Sequence, residues 1–443
     1  MKIFLDSLGC RLNQSEMETM ARQWLAAGHQ VVAQPTAADT IVLNTCAVTA
    51  AAAKDARGRA RWLRHDNPAA ELILTGCYAT LSPGEAAALP GVGRVVANAD
   101  KERLVQLITP PAGAAQPVFD REPLIRDYWA AGLGGTRAFV KAQDGCDNRC
   151  TFCVTTIARG PGRSRPLVDV VAEVQALATA GYREAVLTGV HLGSYGHDQG
   201  RLEGLHQLVM AILADTDIAR LRLSSLEPWD LEPAFFELWQ NPRLLPHLHL
   251  PLQAGSDAVL KRMARRTTRA SFRDLAAAAR AAIPDLNLST DLIVGFPGET
   301  ESEFQASLEF VQEIGFARLH VFSYSPRPGT AAARFQGQVA PAVKKERAQR
   351  MIEVGQQLSL AFHRRYEGQV VNVLWEGVVA ADERGLRWAG YSDNYLRVTA
   401  YGPADARNQI TPTRLTAARP EGLAGIMVGQ PGFSQKNLVS AKP

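Results

Sequence analysis

Apolar runs of strand length recur along this chain with helix-patterned stretches between them, and that alternation restricts the fold more than any other feature. Over the first 110 residues the order is "KIFLDS", "EMETMARQWLAAG", "TIVLNT", an Ala/Arg-rich helical stretch and "ELILTG". Strands joined by crossover helices imply a parallel α/β sheet. A Pro/Gly/Ala stretch, "TPPAGAAQP" from Thr109 to Pro117, breaks the pattern as a linker. The alternation then resumes, with strand candidates "RAFVK", "EAVLTG", "RLRLSS", "HLHLPL", "NLSTDLIVG" and "RLHVFSYS". Six strands with helices between them predict a parallel sheet curved into a partial barrel. After a charged helix, short β-runs such as "QVVNVLWEGV" and "NYLRVTAYG" predict a small β-barrel of the oligonucleotide-binding kind. The expectation is an α/β chain of three domains: an N-terminal parallel α/β domain over 1–110, a central partial (β/α)6 barrel over 135–355 and a β-barrel over 366–440.

Six cysteines are distributed over this frame in two sets of three. Cys146, Cys150 and Cys153 stand in C-x3-C-x2-C spacing within "AQDGCDNRCTFCVTTIARG". A closed structural zinc site needs four ligands and a disulfide two. Three thiolates leave one iron of a cubane [4Fe–4S] cluster without a protein ligand, able to bind a substrate group and pass it an electron. Zinc with a distant fourth ligand such as His191 is the alternative. Cys10, Cys46 and Cys77 each fall just past a predicted strand, where loops of a parallel sheet converge on one crevice. Gly9 and Gly76 precede two of them and allow backbone to approach a bulky group closely. Three buried structural cysteines are the alternative here.

The 443 residues are 46% hydrophobic and 21% charged, enough for two or three domains with real cores. No run of 18 apolar residues appears, and "MKIFLDSLGCRLNQ" has neither a basic leader nor a cleavable apolar segment, so a cytoplasmic protein without a membrane span is expected. In that reducing compartment cysteines serve as ligands or catalysts more often than as disulfides. A net charge of +4 confines nucleic-acid binding to local clusters. Two are candidates for phosphate contact: "KDARGRARWLRH", with Arg57, Arg61 and Arg64 at helical spacing, and "KRMARRTTRASFR", from Lys261 to Arg273. Trp375, Trp388, Tyr391 and Tyr395 offer base-stacking surfaces or the core of the small barrel.

The C-x3-C-x2-C run after a strand resembles the radical S-adenosylmethionine enzymes, and the chain as a whole resembles their methylthiotransferase family. The resemblance rests on "SLGCRLNQSEME", "VLNTCAVT" and "LTGCYA" in the first domain, on "LTGVHLGSYG", "RLSSLEP", "HLPLQAGSDAVLKRMARRTT", "STDLIVGFPGET" and "FSYSPRPGTAAA" in the second, and on "AGYSDNYLRV" in a barrel of the TRAM type. It implies two [4Fe–4S] clusters, S-adenosyl-L-methionine, and a 5′-deoxyadenosyl radical generated at the Cys146–Cys150–Cys153 cluster. An unactivated C–H bond is too strong for acid/base chemistry, which suits one cluster making the radical and a second, on Cys10, Cys46 and Cys77, supplying sulfur. Gly189, Gly193, Ser225, Glu227 and Gln253 lie at strand ends suited to packing on or hydrogen-bonding the cofactor. Arg265 resembles an arginine that pairs with the methionine carboxylate, and Asp291 and Gly298 join the cofactor wall by resemblance alone.

Within that family "GCRLNQSE" resembles the members acting on threonylcarbamoyladenosine in tRNA, as do "SPRPGTAAA" and "GYSDNYLRV". Relatives often carry proline where Thr156 stands, a departure that touches the substrate pocket. Arg159, Arg163 and Arg165 in "ARGPGRSRP" are candidates to contact the threonylcarbamoyl carboxylate. The partners implied are tRNA, a one-electron reductant such as flavodoxin or ferredoxin, and a sulfur donor. Methylthiolation of isopentenyladenosine in tRNA or of a ribosomal protein is the alternative within the family, and a non-catalytic zinc-containing RNA-binding protein the alternative outside it.

Overall fold

The computed structural model describes residues 1–109 and 136–428, so the expected linker beyond Thr109 and the expected barrel beyond Val428 lie outside the described residues. Strands β1 (Lys2–Ser7), β2 (Gln30–Val31), β3 (Thr40–Thr45), β4 (Glu71–Gly76) and β5 (Val92–Val96) form one parallel sheet in the order β2-β1-β3-β4-β5. All of β3 and all but the first residue of β4 are buried, as central strands covered on both faces must be. Alternate side chains serve opposite layers. Val42 and Ile73 pack with Met17, Met20 and Trp24 of the helix Arg11–Ala26. Ile41, Leu43, Leu72 and Leu74 pack with Ala53, Ala56, Ala60 and Leu63 of the helix Ala50–Asp66. The second helix starts where the Thr49 hydroxyl accepts the N–H of Ala52 at 3.1 Å.

The central region adds β6 (Arg137–Lys141), β7 (Gln143–Asp144), β8 (Arg163–Ser164), β9 (Glu184–Thr188), β10 (Arg220–Leu223), β11 (His247–His249), β12 (Asn287–Val294) and β13 (Arg318–Ser323). All six long-range parallel strands lie where the sequence placed them. They form two three-stranded parallel sheets, β6-β9-β10 and β11-β12-β13. Parallel bridges at Leu221–Leu244 and Ser225–His249 join the two into one curved wall. Helices whose apolar residues, among them Phe272, Leu308 and Phe310, cover the outside of that wall complete the core. The short antiparallel pair β7–β8 pinches the base of the loop that carries Cys146, Cys150 and Cys153.

A 24-residue helix, Pro341–Arg364, leads into a closed five-stranded barrel of β14 (Val370–Asp382), β15 (Gly385–Ser392), β16 (Arg397–Gly402), β17 (Ile410–Arg419) and β18 (Gly422–Met427), ordered β14-β15-β16-β18-β17. Closure leaves no sheet edge exposed. Trp375 and Trp388 fill this barrel, with their indole N–H groups bonded to Thr411 Oγ1 and the Pro403 carbonyl. They are core residues and offer no stacking face. Tyr391 and Tyr395 instead leave the barrel and point into the central region. Among the described residues no helix is long and apolar enough to cross a membrane.

Candidate active site

The loop of the C-x3-C-x2-C run is fixed by backbone geometry that only glycine accepts. Gly145 has φ +69°, and a Cβ there would fall 1.9 Å from the Pro161 carbonyl oxygen. The Cys146 N–H donates to the Gly160 carbonyl at 3.1 Å, closing the loop. Thr151 anchors its far side, donating from its N–H to Met263 O at 3.1 Å and from its hydroxyl to Arg262 O at 2.9 Å. The sulfurs meet N–H donors: Asn148 N–H on Cys146 Sγ at 3.4 Å, Thr155 N–H on Cys153 Sγ at 3.4 Å and Arg265 Nη1 on Cys150 Sγ at 3.7 Å. Burial pushes the Cys150 thiol up to about 11, so a metal centre is what would make it a thiolate. A ring of donors around three sulfurs fits an iron–sulfur cluster, whose thiolates accept such bonds.

The second trio sits at the carboxyl ends of the first sheet, Cys10 at the start of the helix Arg11–Ala26, Cys46 after β3 and Cys77 after β4. Gly9 (φ +105°) and Gly76 (φ +95°) do permit close approach, but to the protein itself. A Cβ at Gly9 would lie 2.6 Å from Cys46 Cβ, and one at Gly76 2.3 Å from Thr45 O. The glycines therefore bring the three strand ends together. Asn98 Nδ2 donates to Cys77 Sγ at 3.8 Å, and the Cys10 thiol to Asn13 Oδ1 at 3.8 Å. Among the described residues no three His, Cys, Asp or Glu side chains close on a single ion-sized point.

One cavity of about 1110 Å³ is lined by all of Cys10, Cys46 and Cys77 and, from the loop of the C-x3-C-x2-C run, by Cys153. Gly189, Ser225, Glu227, Gln253 and Asp291 line it as well. Gln253 is held at φ +70°, with its N–H on Asp291 O at 2.9 Å. Gly193 and Gly298 are not on its wall. Gly193 makes room for Asp230, whose carboxylate a Cβ would meet at 2.3 Å, and Gly298 donates its N–H to Gly337 O. Arg265 is next to the cluster loop, but both its Nη atoms are engaged, at 3.0 and 2.5 Å from the Glu227 carboxylate and 2.6 Å from Pro251 O. A free fork for the methionine carboxylate is therefore not what this structure holds.

The three arginines after the loop also part ways. Arg159 lines the cavity, yet its guanidinium is buried at 2.8 Å from Glu16, 2.9 Å from Asp144 and 2.9 Å from Asn13 Oδ1. Arg165 is buried against Glu173 at 2.6 Å and Lys141 O at 2.8 Å, away from the cavity wall. Arg163 is half exposed and faces Asp144 at 3.9 Å. Of the basic runs, Arg262, Arg269 and Arg273 are paired to Glu303 and Glu313, which leaves Lys261 and Arg266 as the exposed cations of that segment with no ion pair among the described residues.

Several site contacts escaped sequence reasoning because their partners are remote. His191 meets Asp230 at 2.5 Å; burial alone would lower its pKa, but Asp230 and the Cys146 sulfur push it up to about 10. His249 lies 3.2 Å from Asp291 in the cavity, and burial and His249 bring the neighbouring His320 down to about 4. Glu16 receives Lys101 at 2.7 Å as well as Arg159. Asn13 and Glu16, three apart in "RLNQSEME", are buried polar residues on one helix face, which was the available signal.

A curved parallel wall with a three-cysteine loop at its first strand end defines a radical S-adenosylmethionine enzyme. The Radical SAM superfamily model matches residues 140–311, and a model described as uncharacterized protein family UPF0004 matches residues 2–97. The chain belongs to the tRNA methylthiotransferases. It is 37% identical over 93% of its length to a threonylcarbamoyladenosine tRNA methylthiotransferase of Bacillus subtilis, covering 93% of that protein. It is 39% identical over 89% of its length to the Thermotoga maritima protein of that name, covering 90% of it. A tRNA-2-methylthio-N(6)-dimethylallyladenosine synthase of Bacillus licheniformis is 34% identical over 97% of this chain and 86% of its own. Among solved structures, the radical S-adenosylmethionine methyltransferase TsrM of Kitasatospora setae shares the fold at a TM-score of 0.54, with 14% identity over 75% of this chain and 73% of its own.

Proposed function

We propose that this enzyme methylthiolates C2 of N6-threonylcarbamoyladenosine next to the anticodon of tRNA, with Cys146, Cys150 and Cys153 holding the cluster that cleaves S-adenosylmethionine and Cys10, Cys46 and Cys77 holding a second. The observation that carries the reading is the cavity lined by Cys10, Cys46 and Cys77 together with Cys153 of the other trio. When bound, the first cluster supplies the electron that breaks the sulfonium C–S bond, and the second supplies an open iron for sulfur.

The protein's own part is alignment. Arg159 joins Asn13 and Glu16 of the first domain to Asp144 of the second, and Asn98 Nδ2 donates to Ala158 O at 2.8 Å, so the separation of the two trios is fixed by buried contacts. The Glu227–Arg265 pair acts as a unit: Arg265 holds the carboxylate toward the cavity and donates to Cys150, while Ser225, Gln253 and Asp291 offer hydrogen bonds to cofactor hydroxyls and amine. Lys261, Arg266 and the exposed cations of the helix Ala50–Asp66, Lys54 and Arg61, are the candidate phosphate contacts. A tRNA substrate places the enzyme in the cytoplasm, with a flavodoxin- or ferredoxin-like reductant and a separate sulfur donor as partners.

Mass spectrometry of tRNA nucleosides from a strain lacking the gene tests this. The 2-methylthio form of threonylcarbamoyladenosine is expected to vanish and its precursor to accumulate; an unchanged 2-methylthio pool refutes the reading.

A further inference from the structure

The threonylcarbamoyl group differs from an isopentenyl group by carrying a carboxylate, so an enzyme selective for it needs a cation free to receive one. The arginines near the loop are spent: Arg159 on Glu16 and Asp144, Arg265 on Glu227, Arg165 on Glu173. One cation beside the second cysteine trio is different. Arg11 follows Cys10 directly, lines the cavity, and among the described residues has no carboxylate within ion-pair distance. Its guanidinium donates from Nη2 to the hydroxyl of Tyr395 at 2.7 Å, a residue 384 positions away in the β-barrel. Glu184, the acid whose charge acts on it, is already engaged by Arg220 at 3.1 Å and Arg222 at 2.9 Å.

Tyr395 is held there at a structural cost. It has φ +64°, a left-handed backbone that non-glycine residues rarely adopt. Its ring stacks on Tyr391 at 4.7 Å and 17°, and its hydroxyl also accepts Arg137 Nη1 at 2.9 Å. Arg222 lies 4.4 Å from the ring centroid. Burial alone would raise the phenol pKa, yet Arg137, Arg11 and Arg222 outweigh it and hold the value below normal. Arg137 and Arg222 are paired with Glu376 and Glu184, so of the three only Arg11 lacks a carboxylate among the described residues.

We propose that Arg11, positioned by Tyr395, binds the carboxylate of the threonylcarbamoyl side chain and so sets specificity for that nucleoside; this rests on the function proposed above. The placement suits the chemistry. A urea on N6 whose far N–H bonds the ring N1 lays its carboxylate along the N1–C2 edge, and C2 must face the cysteines that hold the sulfur-bearing cluster. The residue next to Cys10 is where a carboxylate so placed would meet a cation. Arg318 and Arg397 also line the cavity without an acid partner among the described residues, and neither adjoins a cysteine in sequence, so they serve as comparators.

The test uses reconstituted full-length enzyme and two anticodon stem-loop RNAs, one bearing threonylcarbamoyladenosine and one bearing its carboxyl methyl ester. Wild type is expected to lose roughly tenfold to a hundredfold in kcat/KM on the ester, the usual consequence of losing a charge-assisted bond. Arg11→Gln should show that loss on the acid and no longer distinguish acid from ester, with Arg11→Lys recovering part of the distinction. Arg318→Gln and Arg397→Gln should lose equally on both RNAs. Tyr395→Phe, which leaves the residue beside Cys10 intact, should reduce the acid-to-ester ratio without abolishing it, and it decides the matter if Arg11→Gln does not retain iron. Equal losses on both RNAs in Arg11→Gln, or an unchanged ratio in Tyr395→Phe, overturns the proposal while the function stands. Wild type that modifies neither RNA overturns the functional reading itself.

Discussion

Replacing Arg159 by Met separates a structural arginine from a substrate-reading one. Its guanidinium side chain is 2% exposed and bonds Glu16 and Asp144, themselves 4% and 11% exposed, across the boundary between the first two domains. Methionine keeps an unbranched apolar stem and removes the guanidinium and its charge. Glu16 would retain Lys101 at 2.7 Å, but Asp144 would be left with Lys141 at 3.9 Å and Arg163 at 3.9 Å. Removing one member of a buried ion network costs about 3–5 kcal/mol, mainly through the charge left behind. For a cooperative unit of 150–250 residues that is an apparent Tm lower by roughly 6–20 °C. Differential scanning calorimetry of the anaerobically reconstituted protein, wild type against Arg159→Met, measures it. Glu16→Gln should destabilise similarly, and the double variant by less than the sum of the two, because the residues share one network. A Tm within about 2 °C of wild type together with a raised KM for tRNA would refute this reasoning and return Arg159 to the role of substrate contact.

Three further outcomes follow from the site. Alanine at Cys146, Cys150 or Cys153 should abolish dithionite-driven formation of 5′-deoxyadenosine, measured by chromatography. With Cys10, Cys46 and Cys77 all changed to Ala, cleavage of the cofactor should persist slowly while methylthio product disappears, with iron content per chain falling to about half as one of two clusters is lost. Glu184 gives a pH signature: burial alone would raise its carboxyl, but Arg222, Arg220 and Arg137 bring it to about 2. A depressed pKa contributes stability above the unfolded value of about 4.5 that is lost as pH falls toward 2, on the order of 3 kcal/mol. Acid unfolding monitored by circular dichroism should be less steep in that window for Glu184→Gln, and an unchanged slope would show that the three arginines do not hold this carboxylate.

What the sequence disclosed and what it withheld divide by range. Strands such as "TIVLNT" and "ELILTG" were legible because burial on both faces demands short apolar runs, and the Cys146–Cys150–Cys153 run was legible because its spacing is local. Edge strand β5, "VGRVV", was missed because a glycine and an arginine interrupt its apolar run, and β7–β8 because two-residue strands have no period. Arg159 was read as free because Glu16 stands 143 positions away, and Arg265 because Glu227 stands 38 away. Trp375 and Trp388 look alike with Tyr391 and Tyr395 in sequence. Barrel closure buries the first two, and the turn at Tyr395 turns the others outward to the cavity.

The central claim is the substrate, and it is tested most directly by presenting the reconstituted enzyme, in separate reactions, with tRNA bearing threonylcarbamoyladenosine and tRNA bearing isopentenyladenosine, then measuring methylthio nucleosides by mass spectrometry. The account predicts methylthiolation of the first and none of the second, because the cavity presents Arg11 to a carboxylate that the second lacks. Equal turnover of both, or turnover of the isopentenyl form alone, would contradict it.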